Sequence, residues 1–290
     1  MVICSAPGKI FLFGEHAVVY GEPAIACAIE LRTSVRVREG KKSKIASPYV
    51  AGAVKKISEV AEFEGVNIDI HSDIPTGSGL GSSAAVTIAT LFALNIEFDV
   101  GLSKEDVAQL GHEVEREVQG AASLTDTFVS TMGGVIFLPS CKRLNSLNCG
   151  LVIGNTGLSS STKEIVGQVA KLKDRHSDII QPIFHIIGEL AKKGEYLVEK
   201  KDYKNIGELM NINQGLLESL GVGRTELATQ IYAARKAGAF GAKITGAGGG
   251  GCMVALVDFD RMEEVASAVE SVGGRAIYTK VTETGVTHDG

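Results

Sequence analysis

The stretch IPTGSGLGSSAAVTIATLFAL, residues 74–94, decides the fold. Glycines stand at 77, 79 and 81, two serines follow, and an apolar run begins that predicts a helix over 82–96. The first turn of any helix has backbone N–H groups without an internal partner and the positive end of the macrodipole. Glycines let a small anion approach those groups closely. A Gly/Ser loop can equally be a turn followed by an N-cap. Three alternating glycines and two hydroxyls directly at a long helix start favour the phosphate cradle over that reading, through Pro75, Thr76, Gly77, Ser78, Gly79, Leu80, Gly81, Ser82, Ser83, Ala84 and Ala85.

Familiar phosphate motifs do not account for the loop. The P-loop pattern requires a lysine that is absent, and the glycines at 77, 79 and 81 miss the dinucleotide fingerprint by one residue. Gly246, Gly248 and Gly251 do match that fingerprint, but a strand-like run follows instead of a helix, so the Rossmann context fails. A cradle without its own lysine needs positive charge from elsewhere, and Mg²⁺ held by a hydroxyl and a carboxylate is the usual source. Ser82 or Ser83 offers the hydroxyl; Glu113, Glu115 and Glu117 in GHEVEREVQG are the candidate carboxylates, though such charges more often form a solvated helix face.

Working outward, residues 2–38 read as strands, 51–64 as a helix and VNIDIHS as a strand. Ser103 caps a helix with Val107, Leu110, Val114 and Val118 on one face, and GGVIFL and GLVIGN read as strands. Beyond about residue 160 the chain turns mostly helical, over 162–173, 177–200, 203–219 and 224–238, before a closing strand–glycine–strand–helix–strand unit. Two layered α/β units sharing a cleft are expected. The 290 residues suggest about two domains, and 44% hydrophobic with 22% charged residues is ordinary for a globular protein. A formal net charge of −5 gives no electrostatic case for nucleic acid or an acidic membrane. No long apolar run and no signal-like start appear, and the five scattered cysteines lack metal spacing, so a reduced cytoplasmic protein without membrane attachment is expected.

Three segments, PGKIFLFGEHAVVYG (7–21), PTGSGLGSSAA (75–85) and KITGAGGGGC (243–252), together resemble the three signature motifs of the GHMP small-molecule kinases. The first is similar to that of the mevalonate kinases, and QGAASLTDTF around Asp126 resembles their archaeal type. The resemblance implies an α+β, two-domain GHMP kinase fold. A ribosomal protein S5 domain 2-like N-terminal domain would span 1–160 and a ferredoxin-like C-terminal domain 161–290. It implies ATP as co-substrate, Mg²⁺ as cofactor, mevalonate as acceptor and a homodimer. Ser83 and Glu115 match the metal-binding serine and glutamate, and Asp126 and Lys9 match the catalytic pair. Lys9, Glu15, His16, Asp126, Thr162, Gly246 and Ala247 match positions at the acceptor.

Read from the residues alone, each of these has an alternative. Asp126 suits a helix N-cap as well as a general base. Lys9 suits a snorkelling surface lysine as well as a partner that keeps Asp126 ionised. Glu15 and His16 are strand neighbours that point to opposite faces unless the strand has ended before them. Gly246–Gly251 can be a tight β connection, though four consecutive glycines exceed what a turn requires. A related acceptor such as phosphomevalonate, a sugar or homoserine, a non-catalytic nucleotide-binding regulator, and a nucleic-acid module are the competing functions. Retention of Lys9 and Asp126 argues against the regulator, and the acidic balance argues against the module.

Overall fold

A computed structural model describes residues 1–41, 45–120 and 123–290. Ala121 and Ala122, within the QGAAS stretch read above, lie outside the described residues. The first sheet is built from β1 (Val2–Phe13), β2 (Ala24–Glu39), β3 (Val66–Ser72), β4 (Val135–Leu138) and β5 (Lys142–Leu144). All its pairings are antiparallel. β2 is long enough to serve two neighbours, pairing β4 through Ala24–Cys27 and β3 through Thr33–Glu39. Helices α1 (Pro48–Ser58), α2 (Ser82–Glu97), α3 (Lys104–Gln119) and α4 (Leu124–Met132) cover it.

α2 is the central helix. Nearly every side chain from Ala84 to Asn95 is buried, which explains its lack of a polar face. Each of Ile88, Leu91 and Leu94 contributes roughly 1.5–3 kcal/mol relative to exposure. β1 carries a register irregularity between Pro7 and Lys9, and Lys9 N–H leaves the ladder to donate to Leu80 O at 2.9 Å. Such a bulge re-aims a side chain, here turning Lys9 toward the loop that precedes α2.

The second sheet has the order β7 (Gly241–Thr245), β8 (Cys252–Val257), β6 (Gly150–Asn155), β9 (Arg275–Thr279). Between β6 and β7 run α5 (Thr162–Arg175), α6 (Ser177–Lys200), α7 (Tyr203–Ser219) and α8 (Thr225–Lys236), and α9 (Met262–Ser271) joins β8 to β9. This β-α-β-β-α-β succession with its first strand beside its third and fourth is the ferredoxin-like arrangement. The expected boundary at 160 leaves β6 with the first unit, whereas its hydrogen bonds run to β8 and β9 in the second. The chain then returns: β10 (Thr287–His288) pairs with β1, and Val286 N–H donates to Thr131 O at 3.0 Å.

Three further differences from the sequence reading are local. The first helix starts at Pro48, capped by Ser47, and stops at Ser58. α4 starts two residues before Asp126, with Ser123 rather than Asp126 as its N-cap, and its nine residues mix threonines with apolar side chains so that no periodicity marks its start. β5 and β10 are too short to carry an alternation signal. No helix among the described residues is long and apolar enough to cross a membrane.

Candidate active site

The loop before α2 is held from both sides. Ser78 Oγ donates to Pro75 O at 2.6 Å, and Cys252 N–H donates to Ser78 O at 3.0 Å. Gly79 and Gly246, both at positive φ, face one another so closely that a Cβ on Gly246 would meet Gly79 Cα at 2.7 Å. The two glycine segments, distant in sequence, therefore form one continuous wall. The N-cap of α2 is Gly81 in the left-handed conformation, and no side chain caps the helix. α3, by contrast, has a full capping box from Ser103 and Asp106. Thus the turn-plus-cap reading of 77–83 is not realised, and the α2 terminus keeps its N–H groups available to an anion.

A cavity of about 860 Å³ opens in front of this terminus, between the two sheets' loops. It is lined by Thr76, Gly77, Ser78, Gly79, Gly81, Ser82 and Ser83, by Lys9, Glu15, His16, Glu115 and Asp126, and by Thr162, Gly246 and Ala247. Pro75, Leu80, Ala84 and Ala85 do not line it. Leu80, Ala84 and Ala85 are fully buried beneath the loop, where Leu80 supplies its carbonyl to Lys9.

Lys9 Nζ lies 3.1 Å from Asp126 Oδ2 and 4.4 Å from the centre of the Phe11 ring. Asp126 is not an N-cap. Ser123 takes that role by accepting from Thr125 N–H at 3.2 Å, leaving Asp126 in the first turn of α4 with its carboxylate free to face the cavity.

Helical periodicity sorts the three glutamates of α3. Glu113 and Glu117, one turn apart, reach Lys56 of α1 at 2.9 and 3.0 Å. Glu115 points the other way, is buried, and accepts from Ser83 Oγ at 2.7 Å. Burial, then the charge of Asp126, pushes the Glu115 carboxyl up to about 7, with Ser83 and Lys9 opposing. Two neighbouring carboxylates share one lysine here. An oxygen-ligated dication fits this arrangement, because hydroxyl and carboxylate are hard donors and its charge would relieve the carboxylate repulsion. Among the described residues no group of three or more His, Cys, Asp or Glu side chains forms a metal cluster, so such an ion would need further oxygens from water or a ligand.

β1 ends at Phe13, and Gly14 and His16 both have positive φ. The strand alternation is broken there, which lets Glu15 and His16 both reach the cavity. His16 Nε2 lies 2.9 Å from Ala247 O. Burial lowers the His16 pKa, so the ring is neutral; a carbonyl only accepts, which puts the proton on Nε2 and leaves Nδ1 as the acceptor. Glu15 is occupied by Lys243 Nζ and by Asn213 Nδ2, the latter at 3.2 Å. Thr162 and Lys163, exposed at the start of α5, form the rim.

Sequence reasoning missed Tyr49, whose hydroxyl meets Ser83 and Gln119, and the buried Lys243 and Asn213, each of which donates to Glu15. Burial raises the Tyr49 pKa, with the Glu115 charge adding to it. A lysine inside the apolar GAKITG strand was the one available signal; Asn213 lies on an ordinary amphipathic helix and gave none.

Two family models match the chain, GHMP kinases N terminal domain over residues 48–134 and GHMP kinases C terminal over 195–275. The chain belongs to the GHMP kinase family. It is 44% identical to a mevalonate kinase of Thermococcus sibiricus, covering 98% of this chain and 97% of that one. It is 41% identical to a mevalonate kinase of Pyrococcus abyssi, covering 99% and 97%. The solved structure of Methanococcus jannaschii mevalonate kinase is 30% identical and superposes with a TM-score of 0.84 over 97% of this chain and 98% of that one. The two-domain architecture expected from the signature motifs is therefore that of this GHMP kinase.

Proposed function

We propose that the protein transfers the γ-phosphate of ATP to the 5-hydroxyl of (R)-mevalonate, giving 5-phosphomevalonate. The observation that carries this reading is the Lys9–Asp126 pair, 3.1 Å apart and facing the uncapped α2 terminus across one cavity. The near full-length likeness to mevalonate kinases supports the choice of acceptor.

The triphosphate lies against the 77–83 backbone, where fixed N–H groups meet its charge without reorganisation. Mevalonate lies between Asp126 and the rim, near Glu15, His16, Thr162, Gly246 and Ala247. The 5-hydroxyl oxygen forms a bond to the γ-phosphorus as the bond to the bridging β–γ oxygen breaks; its proton passes to Asp126, and ADP leaves. Lys9 orients the Asp126 carboxylate through their ion pair. Ser83 and Glu115 would hold Mg²⁺, which when bound neutralises charge on the β- and γ-phosphates.

The domain boundary and the oligomeric state belong to the same proposal. The division between domains falls at β6, near residue 150, where the pairing changes sheets. A homodimer uses the exposed apolar Ile179 and Ile186 on α6.

Steady-state ADP release with Mg²⁺ and mevalonate, phosphomevalonate, homoserine or galactose tests the reading. Turnover with mevalonate is expected. Turnover with another acceptor and none with mevalonate would overturn the assignment of Glu15, His16 and Thr162 while leaving the phosphate cradle standing.

A further inference from the structure

Lys243 is the largest charged side chain that the fold buries completely, and the chemistry above does not use it. It sits mid-strand on β7, and its Nζ donates to Glu15 and, at 2.6 Å, to Ile244 O. Taking an ammonium group out of water is costly unless its partners are excellent, so a lysine there calls for an explanation. Burial lowers its pKa, Glu15 opposes that, and the nearby Lys9 adds to the lowering.

The surroundings supply the explanation. Strand alternation points Lys243 and Thr245 to one side of β7, and Ala247 follows two residues on. Each of the three is latched to the segment that carries Lys9. Thr245 Oγ1 accepts from Phe11 N–H at 3.1 Å, Ala247 O accepts from His16, and Lys243 holds Glu15. β7 is itself immobilised from its other edge: Asn211 Oδ1 and Gln214 Oε1 of α7 accept from Ala242 N–H at 3.1 Å and Ile244 N–H at 2.8 Å. Asn213 of the same helix takes the second oxygen of Glu15. Glu15 belongs to a turn with positive φ on either side; backbone bonds from Ala17, Val18 and Val19 close the turn itself, and the Glu15 side chain is what ties it to β7.

We infer that Lys243 is a positioning residue for the acceptor side of the cleft. By clamping Glu15 to β7 it fixes the Glu15–His16 turn, and with it the register between the Lys9 segment and the Gly246–Ala247 wall. It acts through Glu15 and touches neither ATP nor acceptor. Without Lys243, the Glu15 carboxylate is left buried with Lys9 as the next cation, and turning toward it would draw Lys9 from Asp126. The inference rests on the proposed placement of the acceptor beside Glu15 and His16.

A double-mutant cycle on the full chain tests it, using Lys243→Met, Glu15→Gln and the pair together. ATP affinity is measured by calorimetry, and kcat and KM are measured with mevalonate. Each single variant is expected to lose about 100-fold in kcat/KM for mevalonate, the size of loss that a small misplacement produces. ATP affinity is expected to stay within about threefold, because Lys243 acts through Glu15 and the N–H groups of the cradle belong to the 77–83 loop. The pair is expected to fall no more than about threefold below Glu15→Gln alone, since partners acting as a unit are not additive. If Lys243→Met alone fails to fold, the double variant buries no charge and keeps this comparison open. Additive losses, or a fall in ATP affinity matching that for mevalonate, would overturn the inference. A wild-type protein inactive on mevalonate would instead overturn the acceptor assignment on which it rests.

Discussion

Lys9 and Asp126 stand 3.1 Å apart at the floor of the cleft, the lysine side chain 3% exposed and the aspartate 27%. The pair joins a strand bulge to the first turn of a helix from the far end of the same domain, and the difference in exposure gives the two groups different work. In the proposed mechanism the aspartate meets the incoming hydroxyl, and the lysine fixes the aspartate from behind. Lys9→Met therefore leaves Asp126 unheld without opening the phosphate loop. Turnover is expected to fall about 100- to 1000-fold, as for loss of one preorganised donor, with ATP affinity nearly unchanged. Steady-state kinetics and calorimetry on the variant check this, and a loss smaller than twofold would remove Lys9 from the mechanism.

With Glu115 as the proposed magnesium ligand, metal binding is expected to depend on pH. Its carboxyl is pushed from 4.5 up to about 7, chiefly by burial. Magnesium requires the ionised form, so protons compete with it: MgATP affinity should fall as pH drops below about 7 and level off above it. Without metal, the sign for stability follows from the folded state binding this proton more tightly than the unfolded chain. The contribution is fully present below 4.5 and is lost as pH rises toward about 7. Glu115→Gln should abolish the pH dependence of MgATP affinity and raise the magnesium concentration needed for half-maximal rate. Titrations of magnesium at several pH values would show it, and an unchanged profile in the variant would exclude Glu115 as a ligand.

The glycine wall makes a graded prediction. Gly79 has φ of 81°, and a Cβ there would meet Thr245 O at 2.6 Å; Gly77 has φ of 66°, but its Cβ would meet only Ser159 Cβ, at 3.6 Å. Gly79→Ala adds a backbone clash to the conformational strain, whereas Gly77→Ala carries the strain alone, of order 1–3 kcal/mol. Thermal unfolding should rank the variants Gly77→Ala above Gly79→Ala, and only Gly79→Ala should also weaken ATP binding severely, by distorting the 77–83 loop itself. The reverse order would mean that the two loops do not brace each other.

The glycine loop before α2, the long central helix and the helical second half were legible in the sequence because each has a strong local signal: glycine spacing, an unbroken apolar run, helical periodicity. The choice among Glu113, Glu115 and Glu117 was open to composition. The faces of α3 separate them, with Glu115 meeting Ser83 and Glu113 and Glu117 meeting Lys56. The cap of α4 by Ser123 could not be separated from a cap by Asp126, since both residue types suit the position. Membership of β6 in the second sheet and the return of β10 to β1 depend on pairings across most of the chain, for which a single sequence carries no local mark. Glu15 and His16 were read as facing one cavity only if the strand ended early, and Gly14 ends it.

Asp126→Asn is the measurement that bears most directly on the account. The substitution keeps the shape of the side chain and a contact for Lys9 but removes the proton acceptor. Turnover of mevalonate should fall about 10²- to 10⁴-fold, the usual contribution of a general base, while calorimetry should find ATP bound nearly as tightly as before. A variant that keeps more than half of the wild-type rate would contradict the proposed role of the Lys9–Asp126 pair.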